Sequence, residues 1–310
     1  MSVTDSEVLS NYNKAFTLLK ENTPEQRLDV QLPYDKFSQL DEAFSELKSA
    51  EGISEDQRYP SLAYNSFTET VTVVPCPGSI HEGAARWIDQ KIVRYIEDYL
   101  STRSPDTLRH ILQCGSTTKY FDRGVYSRSR KEPDGGFEYK VRGRSSNKLM
   151  IAIEVGTSES YGKFLEEKDM WINGNGVNVV ILNCFEESPR FSNPDTRYTD
   201  IAGCYGPLEY RGHTWAGGLN KAFIEVWRQD SHDTFELIQD GFARANNDLP
   251  ATLNLKISDF YPHAVWQAAN IEDDIIPFDS RTFLNSVRDR MEVVAQNRLD
   301  FYLKEKLRLH

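Results

Sequence analysis

Apolar residues recur at three- and four-residue spacing in two stretches near the N-terminus. Val8, Leu9, Tyr12, Ala15, Phe16 and Leu19 form the first set; Phe37, Leu40, Ala43, Phe44 and Leu47 form the second. Each set predicts an amphipathic helix, and Pro24 and Pro33 break the segments. Phe67 to Val74 alternates and is β-branched, which predicts a strand stopped by Pro75-Cys76-Pro77-Gly78. Ser79, with Glu82 three residues on, predicts a capping box. The helix it opens extends to Leu100 and carries Ala84, Ala85, Ile88, Ile92, Tyr95, Ile96 and Tyr99 on one face.

Further along, Leu108 to Cys114 predicts a short strand, and Tyr120 to Tyr126 and Gly136 to Val141 predict more β-structure. Leu149 to Val155 is apolar on both faces, the mark of a buried strand. Lys163 to Asn173 reads as a helix with its stop at Asn175-Gly176, and Val177 to Cys184 as a second buried strand. Pro189 to Gly218 is irregular. Lys221 to Arg228 and Leu253 to Ile257 read as strands. Arg281 to Leu309 reads as a long helix with Phe283, Val287, Met291, Val294, Leu299, Tyr302 and Leu303 inward. The order helix, three strands, helix, strand predicts an α/β core. The expected division is a helical N-terminal extension over 1–65, a core over 66–260 with an irregular insertion at 186–220, and a helical C-terminal extension over 261–310.

Composition narrows the class. Of 310 residues, 39% are hydrophobic and 27% charged, a globular balance. No apolar run approaches the ~18 residues of a membrane span, and Met1 to Glu7 lacks the pattern of a secretory signal. Cys76, Cys114, Cys184 and Cys204 are widely spaced, which predicts reduced thiols in an intracellular protein and no structural zinc. The net charge of −11 disfavours duplex nucleic acid in general. Lys119 to Lys148 is the exception, with nine basic residues against four acidic ones. That window is either a solvated hairpin or a phosphate-attracting patch through Arg123, Arg128, Arg130, Arg142 and Arg144.

The candidate chemistry lies beside it. Glu154 ends the run Leu149 to Val155, and a carboxylate among Ile151, Ile153 and Val155 must be paired, hydrogen-bonded or metal-bound. Asp134 stands twenty residues upstream in Pro-Asp-Gly-Gly, which is equally a β-turn sequence. Lys168 falls on the following helix and is either a solvated lysine or a cation beside the acids. Glu82 is a cap partner or an assisting acid. Two carboxylates without a His/Cys cluster select a hard ion, Mg²⁺ or Mn²⁺. No G-x-S-x-G or Cys–His signature supports a serine or cysteine hydrolase.

This layout resembles the PD-(D/E)XK nuclease superfamily and, within it, the Uma-type restriction-endonuclease-like family. The residues that carry the resemblance are His81 on the first helix, Pro133-Asp134, Glu154-Val155, Lys168 and Gly176-Val177. It spans residues 75 to 185, a third of the chain. The resemblance implies a restriction-endonuclease-like αβββαβ core that binds and cuts DNA or RNA. Asp134 and Glu154 would hold Mg²⁺ or Mn²⁺, Lys168 would steady the transition state, and Glu82 would assist. The chain departs from the pattern at Gly156, where many superfamily members carry the lysine; Lys168 would replace it. The alternative is a nuclease-fold protein without catalysis that binds nucleic acid or protein. The terminal helices could form a homodimer or fold back on the core.

Overall fold

A computed structural model describes residues 4–21, 27–53, 60–74, 78–103, 111–115, 117–140, 147–157, 160–192, 209–210, 213–245, 248–269 and 272–308. The chain is mixed α/β. It begins with α1 (Asp5–Glu21), β1 (Leu28–Gln31), α2 (Tyr34–Ala50), β2 (Ser61–Asn65), β3 (Thr70–Val74) and α3 (Ser79–Arg103). Next come β4 (Ile111–Gln113), β5 (Lys119–Tyr120), β6 (Arg130–Lys131), β7 (Gly135–Tyr139), β8 (Lys148–Gly156), α4 (Tyr161–Asp169) and β9 (Val179–Ser188). Then follow β10 (Glu209–Tyr210), β11 (His213–Thr214), β12 (Gly218–Trp227), β13 (His232–Gln239), β14 (Phe242–Ala243) and β15 (Thr252–Lys256). The chain closes with α5 (His263–Ala269), β16 (Ile275–Pro277) and α6 (Ser280–Arg308).

These elements form two compact units. The first takes residues 1–78, 116–133 and 169–176; the second takes 79–115, 134–168 and 177–310. The expected boundaries at 65 and 260 differ from this division. A cut at 65 separates β2 from β3, which pair over their whole length, and a cut at 260 separates β15 from its partner β16.

In the first unit the sheet order is β1-β3-β2-β6-β5. Ala15, Leu19, Phe37, Leu40 and Phe44 from the two helices pack with Leu62, Tyr64, Val71 and Val73 of the sheet. Phe37 stacks on Tyr64 with ring centroids 4.4 Å apart. The N-terminal extension is therefore not purely helical, and Leu9, expected on the inner face, is 62% exposed. The strand expected from Phe67 starts at Thr70 instead. Asn65 Oδ1 accepts the backbone N–H groups of Phe67 and Thr68, and this local turn competes with the ladder.

The second unit is built on a seven-stranded sheet of order β14-β13-β12-β9-β8-β7-β4. β4, β7 and β8 are antiparallel neighbours, β9 runs parallel to β8, and β12 and β13 extend the sheet antiparallel. On one face Ile151, Ile153, Val155, Ile181, Ile224 and Val226 join Ile88, Ile92, Phe283 and Val287 from α3 and α6 in the main core. All seven residues expected on the inner face of α6 are buried, so this helix belongs to the core of its own chain. The expected helix Lys163–Asn173 is α4 followed by a π-helical turn, Met170–Asn175, which ends at Gly176 in the left-handed conformation. No helix among the described residues is long and apolar enough to cross a membrane.

Candidate functional site

Asp134 immediately precedes β7 and is tied twice to β8. Its backbone N–H donates to Ile153 O at 3.0 Å, and its Oδ2 accepts the N–H of Val155 at 2.7 Å. Nε2 of His81, in the first turn of α3, lies 3.0 Å from the same oxygen. Pro-Asp-Gly-Gly thus opens a strand instead of reversing the chain, with Gly135 and Gly136 paired to Ile153 and Ala152. Gly136 has φ +151°, and a Cβ there would sit 2.3 Å from Ile151 O, so the close approach of β7 and β8 requires glycine.

Glu154 is 2% exposed. The pleat sends it to the side of Ala152 and Gly156, opposite Ile153 and Val155. A Cβ on Gly156 would lie 2.0 Å from the Phe164 ring, which marks this as the face under α4. A lysine at position 156 would have to displace that ring. Asp134 and Glu154 are therefore neighbours along adjoining strands, yet their surroundings differ. Glu154 shares a face with α4, whereas Asp134 is engaged by His81 of α3, the helix on the other face.

The α4 face holds a second buried acid. Glu154 is in register with Leu182, and Leu182 with Glu225. Glu225, 4% exposed, accepts Tyr161 Oη at 2.9 and 3.0 Å, Trp227 Nε1 at 2.8 Å and Thr234 Oγ1 at 3.4 Å. In the next row Lys168 Nζ stands 4.4 Å from the centre of the Trp227 ring, and His232 stacks on the same ring at 4.0 Å. Burial, reinforced by the Glu225 carboxylate, pushes the Cys184 thiol up to about 12, so it stays protonated near neutral pH and is a poor nucleophile.

On the α3 face, Asp89 sits against Gly135, where a Cβ would come within 2.9 Å of its Oδ2. Burial pushes its carboxyl up to about 7, although the backbone of Gly136 bonds to it. Its Oδ1 has no hydrogen-bond partner among the described residues. Glu82 is next to His81 in the first turn of α3, half-buried.

The arginines of the basic window fall elsewhere in the chain's organisation. Arg123, Arg128 and Arg130 belong to the first unit. Arg142 and Arg144 lie outside the described residues. The Arg123 guanidinium packs against Gly176, where a cation suits the carbonyl end of a helix. Arg128 stands over the Tyr34 ring at 5.3 Å. Arg130 pairs with Asp41 and covers the Phe37 ring.

Sequence reasoning passed over Asp89, Asn183 and Glu225. Glu225 carried the same signal as Glu154, an acid between Ile224 and Val226 in an apolar run. Asp89 interrupts the inward face of α3 beside Ile88, and Asn183 follows the run Val179 to Leu182. Among the described residues no group of three or more His, Cys, Asp or Glu is gathered as a metal cluster. The donors at Asp134 and Glu154 are carboxylate oxygens. Magnesium commonly takes one or two such ligands and completes its shell with water and phosphate oxygens, so the donor type fits a hard cation. Among the described residues both bonds of the Asp134 carboxylate fall on Oδ2, leaving Oδ1 as the oxygen a cation would take. Compared with known proteins, the chain matches no family model and no curated protein.

Proposed function

We propose that this protein is a phosphodiesterase acting on nucleic acid through a hard divalent cation, with a restriction-endonuclease-like arrangement of its second unit. The observation that carries this reading is the seat of Asp134. It opens the second of three antiparallel strands, and its carboxylate is bonded to the residue after Glu154 on the third. The order of elements within the second unit, α3, β4, β7, β8, α4, β9, with β9 parallel to β8, also supports it. When bound, Mg²⁺ or Mn²⁺ would lower the pKa of a water and neutralise phosphate charge. The chain's part is to orient the carboxylates: His81 and the Val155 N–H hold Asp134, and the α4 face encloses Glu154. Lys168 and Glu82 enter as assisting groups. Labelled single- and double-stranded DNA and RNA should be cut with Mg²⁺ or Mn²⁺ and spared with chelator. Cleavage that persists in Asp134→Asn and Glu154→Gln would overturn the assignment.

A second reading has its own observation. Phe164 fills the space where a lysine at position 156 would stand, and Lys168 is seated on Trp227. A nuclease-like fold that binds nucleic acid or protein without cutting accommodates both. Saturable binding of unlabelled DNA or RNA without cleavage, under either ion, would favour it.

A further inference from the structure

We infer that Asn183 is a positioning residue for Glu154 and that it acts with Asp134 on a single peptide group. The inference rests on reading Glu154 as a cation ligand. The peptide joining Glu154 to Val155 is held at both ends by side chains. The Val155 N–H donates to Asp134 Oδ2 at 2.7 Å, and Glu154 O accepts from Asn183 Nδ2 at 3.3 Å. The two side chains come from opposite sides of β8, one from the residue ahead of β7 and one from β9. A peptide pinned from both sides resists rotation about the Glu154 backbone, and that fixes the direction in which its carboxylate leaves the strand.

Packing alone does not account for an asparagine at this position. Asn183 is in register with Val155 on one side and Ile224 on the other, on the face that carries Ile153, Ile181 and Val226. It is fully buried, and its Oδ1 has no hydrogen-bond partner among the described residues. A leucine would fill comparable space without stranding an acceptor, which folded proteins rarely tolerate. The bond that Asn183 does make goes to the backbone of Glu154. A polar group kept in an apolar layer and bonded to the backbone of a proposed ligand acts as outer-shell residues do when they orient metal ligands. His81 extends the arrangement on the far side by holding the same Asp134 oxygen.

The test uses the full chain and three replacements. Asn183→Leu removes the donor and suits the apolar layer; Asn183→Thr keeps a hydroxyl donor in a strand-favouring residue; Asn183→Ala removes the donor with least bulk. Melting temperature and Mn²⁺ affinity by calorimetry are read for each. Asn183→Leu should melt no lower than wild type while its Mn²⁺ affinity falls about 10- to 100-fold, and Asn183→Thr should recover most of that loss. If Asn183→Leu does not fold, Asn183→Ala and Asn183→Thr are compared instead, and equal affinities overturn the inference. Wild-type affinity in a folded Asn183→Leu overturns the role of Asn183 and leaves the cation site standing. A wild type that binds neither Mn²⁺ nor Mg²⁺ overturns the cation site and this role together.

Discussion

The two faces of the seven-stranded sheet are built on different principles. The face toward α3 and α6 is a continuous apolar layer in which Ile153, Ile181, Ile224 and Phe283 pack together, with Asp89 and Asn183 as polar exceptions. The face under α4 carries Glu154, Cys184, Glu225 and Trp227 on neighbouring strands, and α4 answers with Tyr161, Phe164 and Lys168. Glu154 and Glu225 are as buried as the apolar layer, although Cys184 and Trp227 beside them are half-buried, so burial of the two acids alone does not distinguish the faces. One face is stabilised by the area it removes from water. The other depends on each polar group finding its partner, because an unmade hydrogen bond there is costly.

That difference predicts different responses to truncation. Phe283 is fully buried against Trp87, Phe185 and Phe278, and Phe283→Ala should cost about 3–5 kcal/mol in urea unfolding. Glu225→Ala should cost about 1–3 kcal/mol, mostly by stranding Tyr161 Oη and Trp227 Nε1. A Glu225→Ala variant as stable as wild type would remove the case for a polar layer under α4.

Asp89 is the test within the apolar face. Its carboxyl has a value near 7 in the fold against an ordinary 3.8, so the folded chain holds the proton more tightly than the unfolded one. The stability this provides is full below about pH 4 and is lost as pH rises toward 7. Asp89→Asn should flatten that slope and raise stability at neutral pH by up to a few kcal/mol, read from urea midpoints across the range. The smallest effect is expected at Lys168. Lys168→Ala should shift tryptophan fluorescence and cost about 0.5–1 kcal/mol through loss of the contact over Trp227.

Much of this arrangement was readable from residue spacing. The inward faces of α3 and α6, the runs that became β8 and β9, and the Gly176 stop all follow from periodicity and turn chemistry. β1 and β13 were not legible, since β1 has four residues and β13 is largely half-exposed, with little apolar signal in either. Asp134 and Glu154 could be singled out as types, but Pro-Asp-Gly-Gly equally spelled a turn. Only the pairing of Gly135 with Ile153 shows that it opens a strand. Asn183 and Asp89 gain meaning from strand register and helix packing, which one sequence does not reveal. Phe164 over Gly156 is a contact of the same kind.

Calorimetric titration of Mg²⁺ and Mn²⁺ into the 310-residue chain, beside Asp134→Asn and Glu154→Gln, decides whether these carboxylates form a cation site. Wild type should bind either ion saturably, and each variant, folded and melting near wild type, should lose that binding. Equal heats from all three proteins, or none from the wild type with either ion, would contradict a cation site at Asp134 and Glu154.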